Sequence, residues 1–149
     1  GTISGNTTGT KGGAACIHSG GTFNMSGGSI SGNSANASGG MGGALYIENG
    51  ATFNMSGGTI SGNAANSYGG AIYNAGTIIM SGGAVIASNN DVYLPAGKYI
   101  SVSGRLTGST PVATLTPAAA SYIDGTAFVD FSAANTGWKP RLFNCFEQL

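Results

Sequence analysis

The sequence predicts an all-β protein folded as a right-handed parallel β-helix, with three strands in each turn, or rung, of the coil. Three observations support this prediction. Glycine fills 28 of the 149 positions, short motifs return every 25 to 30 residues, and apolar and polar residues alternate within the motifs. Repeats of this length are typical of solenoid folds. Parallel strand connections are also strongly right-handed.

Three motifs repeat along the first ninety residues. Gly-Thr/Ser-Ile-Ser-Gly-Asn begins at positions 1, 28 and 58; Thr-Phe-Asn-Met-Ser-Gly-Gly begins at 22 and 52 and returns altered at 77; Gly-Gly-Ala begins at 12, 42 and 69. Their alternation indicates strands with one buried face. Stacked rungs would place three apolar columns inside: Ile3, Ile30 and Ile60; Phe23, Phe53 and Ile78; Met25, Met55 and Met80.

The methionine column and the asparagines at one corner of the rung are both interpreted as structural. Thioethers can bind copper, but a methionine column beside phenylalanine is typical of core packing, and we interpret it so. Asn6, Asn33 and Asn63 follow the isoleucine motif at a corner of the rung. We expect their amides to form a ladder that satisfies buried turn backbone.

The remaining residues, 91–149, are predicted to continue the same domain as final rungs and an irregular, β-rich C-terminal cap. Strand-like runs at 99–102, 112–115 and 127–131 are separated by prolines, which strands tolerate mainly at their margins. Trp138, Leu142, Phe143 and Phe146 are expected to cover the last rung, and a partner-binding role for residues 138–141 is the alternative. Gly1 starts at the first strand of a repeat, so we expect an uncapped first rung. Either an upstream piece is missing or another chain stacks there end to end.

Composition excludes several classes of function. The net charge is zero without a basic cluster, which argues against nucleic-acid binding. No apolar run approaches the roughly 18 residues of a membrane-spanning helix. The glycine motifs lack the Lys-Ser/Thr of phosphate loops, and the turns lack the repeated aspartate of calcium-binding β-helices, so no metal or cofactor is predicted. The uncharged, hydroxyl-rich sequence fits an extracellular or cell-surface location.

Residues for catalysis are scarce, and we predict that the chain is not an enzyme. His18 is the single histidine, expected to be exposed in a turn, with no carboxylate recurring near it. A nucleophile needs a base and an orienting group in reach. Polysaccharide-active β-helices use clustered or paired acids, whereas the regular rungs contain only Glu48.

The outward columns are the candidate binding residues. One is a polar face of Thr22, Asn24 and Ser26 that repeats with Thr52, Asn54 and Ser56 and continues, interrupted by Ile79, from Thr77 to Ser81. Such an array can bind a glycan surface or ice, and the alternative is that it only keeps the strands soluble. The second outward column contains Cys16, Tyr46 and Tyr73. Stacked tyrosines add packing between rungs and can line a contact surface.

Cys16 and Cys145 lie near opposite ends of the predicted coil. Several rungs, each ~4.8 Å high, separate the two ends. The cysteines are therefore too far apart for a disulfide within one chain unless the tail runs back. A bond between successive subunits of a head-to-tail filament is one hypothesis. Two free thiols are equally compatible with the sequence.

The motif combination Ile-Ser-Gly-Asn, Gly-Gly-Ala-Leu/Ile-Tyr and Phe-Asn-Met-Ser-Gly-Gly resembles the β-helix repeats of bacterial surface and adhesin-like proteins, and more distantly those of chlamydial polymorphic membrane proteins. The resemblance covers residues 1–90, and 90–100 and 104–108 are similar to the segment that closes such arrays. It implies export and no catalytic residues. Three functions follow: foremost a non-enzymatic adhesive or structural surface module, then a self-assembling extracellular filament subunit, and last a polysaccharide-active enzyme.

Overall fold

The computed structural model describes residues 1–109, 111–118, 129–130 and 143–145, and every regular element within them is a strand. There is no helix in these ranges that could span a membrane. The strands are β1 (Thr2–Ser4), β2 (Thr7–Thr8), β3 (Ala15–Ile17), β4 (Thr22–Ser31), β5 (Ser34–Ala35), β6 (Leu45–Ile47), β7 (Thr52–Ser61), β8 (Ala64–Ala65), β9 (Ile72–Asn74), β10 (Thr77–Gly82), β11 (Val85–Ile86), β12 (Asp91–Leu94), β13 (Ile100–Leu106), β14 (Ala113–Pro117), β15 (Val129–Asp130) and β16 (Phe143–Cys145).

The strands form three parallel sheets that wind as a β-helix of about four turns. Sheet 1 has the order β1-β4-β7-β10-β13-β15, with β11 also paired to β7; sheet 2 has the order β16-β14-β12-β9-β6-β3; and sheet 3 has the order β2-β5-β8. Strands that neighbour each other in a sheet are one repeat apart in sequence. The predicted parallel β-helix with three-strand rungs is therefore confirmed.

The three sides of the coil do not correspond one to one with the three sequence motifs. β4 and β7 each contain two motifs, because the chain bends at Gly28 (φ 82°) and Gly58 (φ 86°) without leaving sheet 1. A register shift that sets Ser26 opposite Gly57 accompanies the bend. The third side consists of two-residue strands, which are too short to show alternation in sequence.

The predicted apolar columns are confirmed. Phe23 pairs with Phe53 and Phe53 with Ile78, while the methionine and isoleucine columns pair in the same way. All nine side chains are buried except those of Ile3 and Phe23, which are partly buried against the core. Each column continues for one more rung. Ile100 follows Ile78, Val102 follows Met80, and Ile86 follows Ile60.

The asparagine ladder is also confirmed, and Asn90 adds a fourth member. Asn33 Nδ2 donates to Asn63 Oδ1 (2.9 Å) and to the carbonyl oxygens of Ile3 and Ser31 (3.0 and 3.1 Å). Asn63 repeats this pattern one rung further on, with Asn90 Oδ1 as acceptor at 3.0 Å. Buried amides thus satisfy corner carbonyl groups that the parallel ladders leave unpaired.

Two of the Gly-Gly-Ala motifs lie where the backbones of adjacent rungs approach closely. A Cβ atom at Gly43 would lie 2.2 Å from the carbonyl oxygen of Gly70, and one at Gly13 would lie 2.2 Å from that of Gly43. Since real Cβ contacts are never this short, glycine is required here by stacking.

Stacking continues past residue 90, where the sequence repeat fades. β13 and β14 overlap two of the predicted runs, each starting one residue later and ending further along the chain, and β15 lies within the third. Trp138, Leu142 and Phe146 lie outside the described residues, and Phe143 is described only as backbone of β16. The predicted cap formed by these side chains stays a prediction.

Candidate functional site

The most distinctive surface is an aromatic column on sheet 2. Tyr46 pairs with Tyr73, and Tyr73 with Tyr93, all on the outward side of their strands. Ring centroids of the first pair are 5.0 Å apart with a 2° interplanar angle, and those of the second pair are 5.4 Å apart at 19°. We call these three residues the tyrosine ladder. All three side chains are half-buried.

A second column flanks the ladder. Single parallel bridges align Lys11 with Met41 and Met41 with Tyr68. Lys11 Nζ lies 4.3 Å from the centroid of the Tyr46 ring, a cation–π contact. The Tyr68 ring lies 4.5 Å from that of Tyr93 and is 48% exposed. The two columns form a continuous face, the tyrosine face, with several aromatic rings and one cation.

Burial tunes the ionisation of this face. It raises the pKa of Tyr73, with Tyr46 and Tyr93 as smaller causes in the same direction, and it raises the pKa of Tyr93, with help from Tyr68. A hydrogen bond with Tyr46 raises the pKa of Lys11. At neutral pH Tyr73 and Tyr93 therefore carry neutral hydroxyl groups, which can donate and accept hydrogen bonds, and Lys11 carries a positive charge.

The end of the ladder at β3 contains a cluster of three chemically different side chains. Cys16 and His18 flank the inward Ile17, so both point outward, and the pairing of Ile17 with Ile47 sets Glu48 beside His18. Donor atoms of the cysteine, histidine and glutamate all lie within 4.8 Å of one another. Among the described residues this is the one such group of three metal-binding side chains.

Contacts within the cluster stabilise the ionised form of Glu48. The Ser19 N–H donates to Glu48 Oε2 (3.2 Å) and His18 Nδ1 lies 3.2 Å from Glu48 Oε1, and these two contacts lower the pKa of Glu48. Burial raises the pKa of the Cys16 thiol, with Glu48 acting in the same direction and Lys11 opposing it.

His18 is exposed, as predicted, with 79% of its side chain accessible. No carboxylate recurs near it along the sequence, but in the structure Glu48 lies beside it. His18 and Glu48 are thirty residues apart in sequence, one full repeat, and the parallel register converts this spacing into contact. That spacing was the signal that could have revealed the pair. Tyr93 was also missed, although the alternation of Asp91-Val92-Tyr93-Leu94 indicates a strand.

The predicted polar face lies on sheet 1. One column contains Thr22, Thr52 and Thr77. In the next column, Asn54 Nδ2 donates to Asn24 Oδ1 of the adjacent rung (2.8 Å). Ile79 follows Asn54 in register and ends the amide row. The serines do not continue the array, because the register shift sets Ser26 opposite Gly57 rather than Ser56. The regular part of this face is therefore two columns wide.

The two cysteines belong to strands at opposite edges of sheet 2. Cys16 lies in β3 and is a free thiol, and the backbone of Cys145 lies in β16, which pairs with β14. The Cys145 side chain is outside the described part of the structure. The disulfide between subunits stays a prediction.

Comparison of the chain with protein-family models, with curated proteins and with solved structures found no significant match. The class of protein, a parallel β-solenoid, therefore rests on strand pairing and register alone.

Proposed function

We propose that this chain is a non-enzymatic β-helix module of an extracellular or cell-surface protein with an adhesive or structural role, and that the tyrosine face is its contact surface. The observation that carries the proposal is the continuous ladder of Tyr46, Tyr73 and Tyr93 with Lys11 and Tyr68 beside it. Tyrosine is enriched at recognition surfaces because it offers large contact area and a hydroxyl group at low entropic cost.

The chemistry of the face favours an uncharged glycan chain as ligand. Tyrosine hydroxyl groups, repeated about every rung, can bond the hydroxyl groups of an extended polymer. Charged residues make up 7% of the sequence and the net charge is zero, so the long-range attraction that polyanions require is missing. The resemblance of the repeats to those of bacterial surface proteins supports the same location and role.

The proposal is non-enzymatic for a physical reason. A nucleophilic cysteine needs a low thiol pKa, whereas burial and Glu48 raise that of Cys16. The histidine beside it is largely exposed to water rather than enclosed in a cleft. The cluster therefore lacks the electrostatic setting of a covalent catalyst.

The test is a glycan array probed with the full chain and two sets of variants. One set removes the tyrosine face, by Tyr46→Thr with Tyr73→Thr and Tyr93→Thr, and separately by Tyr68→Ser. Threonine suits an outward strand position, and the exposed Tyr68 can be removed without a cavity. The matched control alters the polar face, by Asn24→Ser with Asn54→Ser.

We expect binding of a neutral glycan that falls at least about tenfold in the tyrosine variants, a loss of ~1.4 kcal/mol or more, while the control stays within about twofold. Circular dichroism checks that each variant is folded. Loss in the control variant alone would move the site to sheet 1. If no neutral glycan binds, the adhesive form of the proposal is wrong.

A second candidate function is a subunit of a head-to-tail extracellular filament. It is favoured by the placement of Cys16 and Cys145 in strands at the two edges of one parallel sheet. The next subunit could continue that sheet. The register aligns Cys145 with Leu115 and, through the intervening strands, with Ala15 rather than Cys16. A disulfide across the junction therefore requires a register shift of one residue. This contact is heterologous, and such contacts propagate into filaments when they do not close into a ring.

A further inference from the structure

We propose that Cys16, His18 and Glu48 form a binding site for one zinc ion at the edge of the tyrosine face. The inference does not depend on adhesion or assembly. It rests on a thiol, an imidazole and a carboxylate that converge from two adjacent rungs.

The donor set suits zinc. Zn²⁺ binds cysteine sulfur, histidine nitrogen and carboxylate oxygen, and sites with three protein ligands keep a fourth position for water. A tetrahedral ion with bonds of ~2.0–2.3 Å needs donor atoms roughly 3.3–3.8 Å apart. The three donors here lie within 4.8 Å, and His18 Nδ1 is already 3.2 Å from Glu48 Oε1. Small side-chain rotations therefore complete the geometry.

The surroundings hold the ligands in place. Cys16 is anchored in β3, while the Ser19 N–H donates to Glu48 Oε2 and leaves Oε1 toward His18. Partners of this kind orient metal ligands and raise metal affinity. Cys16 and His18 also border an open groove of about 410 Å³, so water can reach the fourth position.

Charge balances at the site. On binding, the Cys16 thiol releases its proton to solvent and the sulfur donates an electron pair to the ion. The thiolate and the Glu48 carboxylate then neutralise the two positive charges of zinc, and His18 binds as neutral imidazole. A neutral site is compatible with the Lys11 ammonium, which lies over Tyr46 on the same face.

The test uses the full chain carrying Cys145→Ser, kept reduced, so that every thiolate signal comes from Cys16. Zn²⁺ binding is measured by calorimetry, and Co²⁺ serves as a spectroscopic probe. We expect one ion per chain and a near-ultraviolet band of thiolate-to-cobalt charge transfer. Zn²⁺ should also raise the unfolding temperature, because it binds only the folded register.

Single variants identify the ligands. Cys16→Ser should abolish the charge-transfer band, and His18→Asn and Glu48→Gln should each weaken zinc binding at least about tenfold. Ser19→Ala is the matched control, since it keeps the backbone N–H and should bind zinc unchanged. The proposal is overturned if Co²⁺ gives no thiolate band, or if zinc affinity is the same in Cys16→Ser and in its parent.

Discussion

At the scale of single residues, asparagine has two opposite situations in the core. Asn33 and Asn63 donate to carbonyl groups and to the next amide, so their burial completes the corners. Asn74 is fully buried in register with Ile47, yet neither its Oδ1 nor its Nδ2 has a hydrogen-bond partner among the described residues. Burying an unpaired amide costs free energy that an apolar side chain of similar size would not.

We therefore predict that Asn74→Leu raises the free energy of unfolding by about 1–3 kcal/mol. Leucine has the same branching and the same number of side-chain heavy atoms as asparagine, and it continues the apolar column begun by Ile17 and Ile47. Urea denaturation followed by circular dichroism measures the change. The control is Asn63→Leu, which should destabilise because it leaves the carbonyl groups of Ile30 and Ser61 unpaired. A less stable Asn74→Leu would show that the amide is satisfied in solution.

At the scale of elements, the tyrosine ladder belongs both to the surface and to the stability of sheet 2. Tyr73 lies between two other rings, and its hydroxyl ionises against burial and against its neighbours. The folded chain therefore holds protons on Tyr73 and Tyr93 that the unfolded chain releases at a lower pH. Stability must then depend on pH in the alkaline range.

The predicted sign follows from the raised pKa values of Tyr73 and Tyr93. Their contribution is fully present below pH 10, the usual tyrosine value, and is lost as pH rises through the folded values. Lys11, the cation on this face, has a raised pKa and acts in the same direction. Denaturant midpoints measured from pH 8 upward should fall above pH 10.

The control for this pH dependence is Tyr73→Phe with Tyr93→Phe, which keeps the stacked rings and removes two titrating groups. The decline should become shallower in this variant, with Lys11 still contributing. An equally steep decline in both proteins would assign the pH dependence to other groups.

At the scale of the whole molecule, the repeat period made the fold predictable. A spacing of 25 to 30 residues, interpreted as one rung, predicts that Phe53 stacks on Phe23 and Met55 on Met25, and the strand register confirms both pairs. His18 and Glu48 are also one repeat apart, but they differ in type and belong to no repeated motif, so similarity between rungs does not indicate their contact. The sequence does not predict the bend at Gly28 and Gly58, because glycine is compatible with both a turn and a bulge. Beyond residue 90 the motifs change, and only register reveals that Tyr93 continues the ladder.

End-to-end assembly is a property of the whole molecule, and oxidation of the two cysteines provides a test of it. If β16 of one chain stacks on β3 of the next with the register shifted by one residue, oxidation should link Cys145 to Cys16 and give long filaments of uniform width in negative-stain electron microscopy. Reductant and Cys16→Ser should each shorten or abolish them. Non-reducing electrophoresis should show a ladder of oligomers rather than a dimer alone, because a heterologous contact repeats.

Zinc connects this assembly with the proposed site at Cys16. Cys16 cannot bind zinc and form a disulfide at once, so adding Zn²⁺ before oxidation should reduce the oligomer ladder. Glu48→Gln, which weakens the zinc site but keeps both thiols, should restore the ladder in the presence of Zn²⁺. Discrete rods under oxidising conditions would exclude the filament while leaving the tyrosine face and the zinc site intact, since neither requires a second chain.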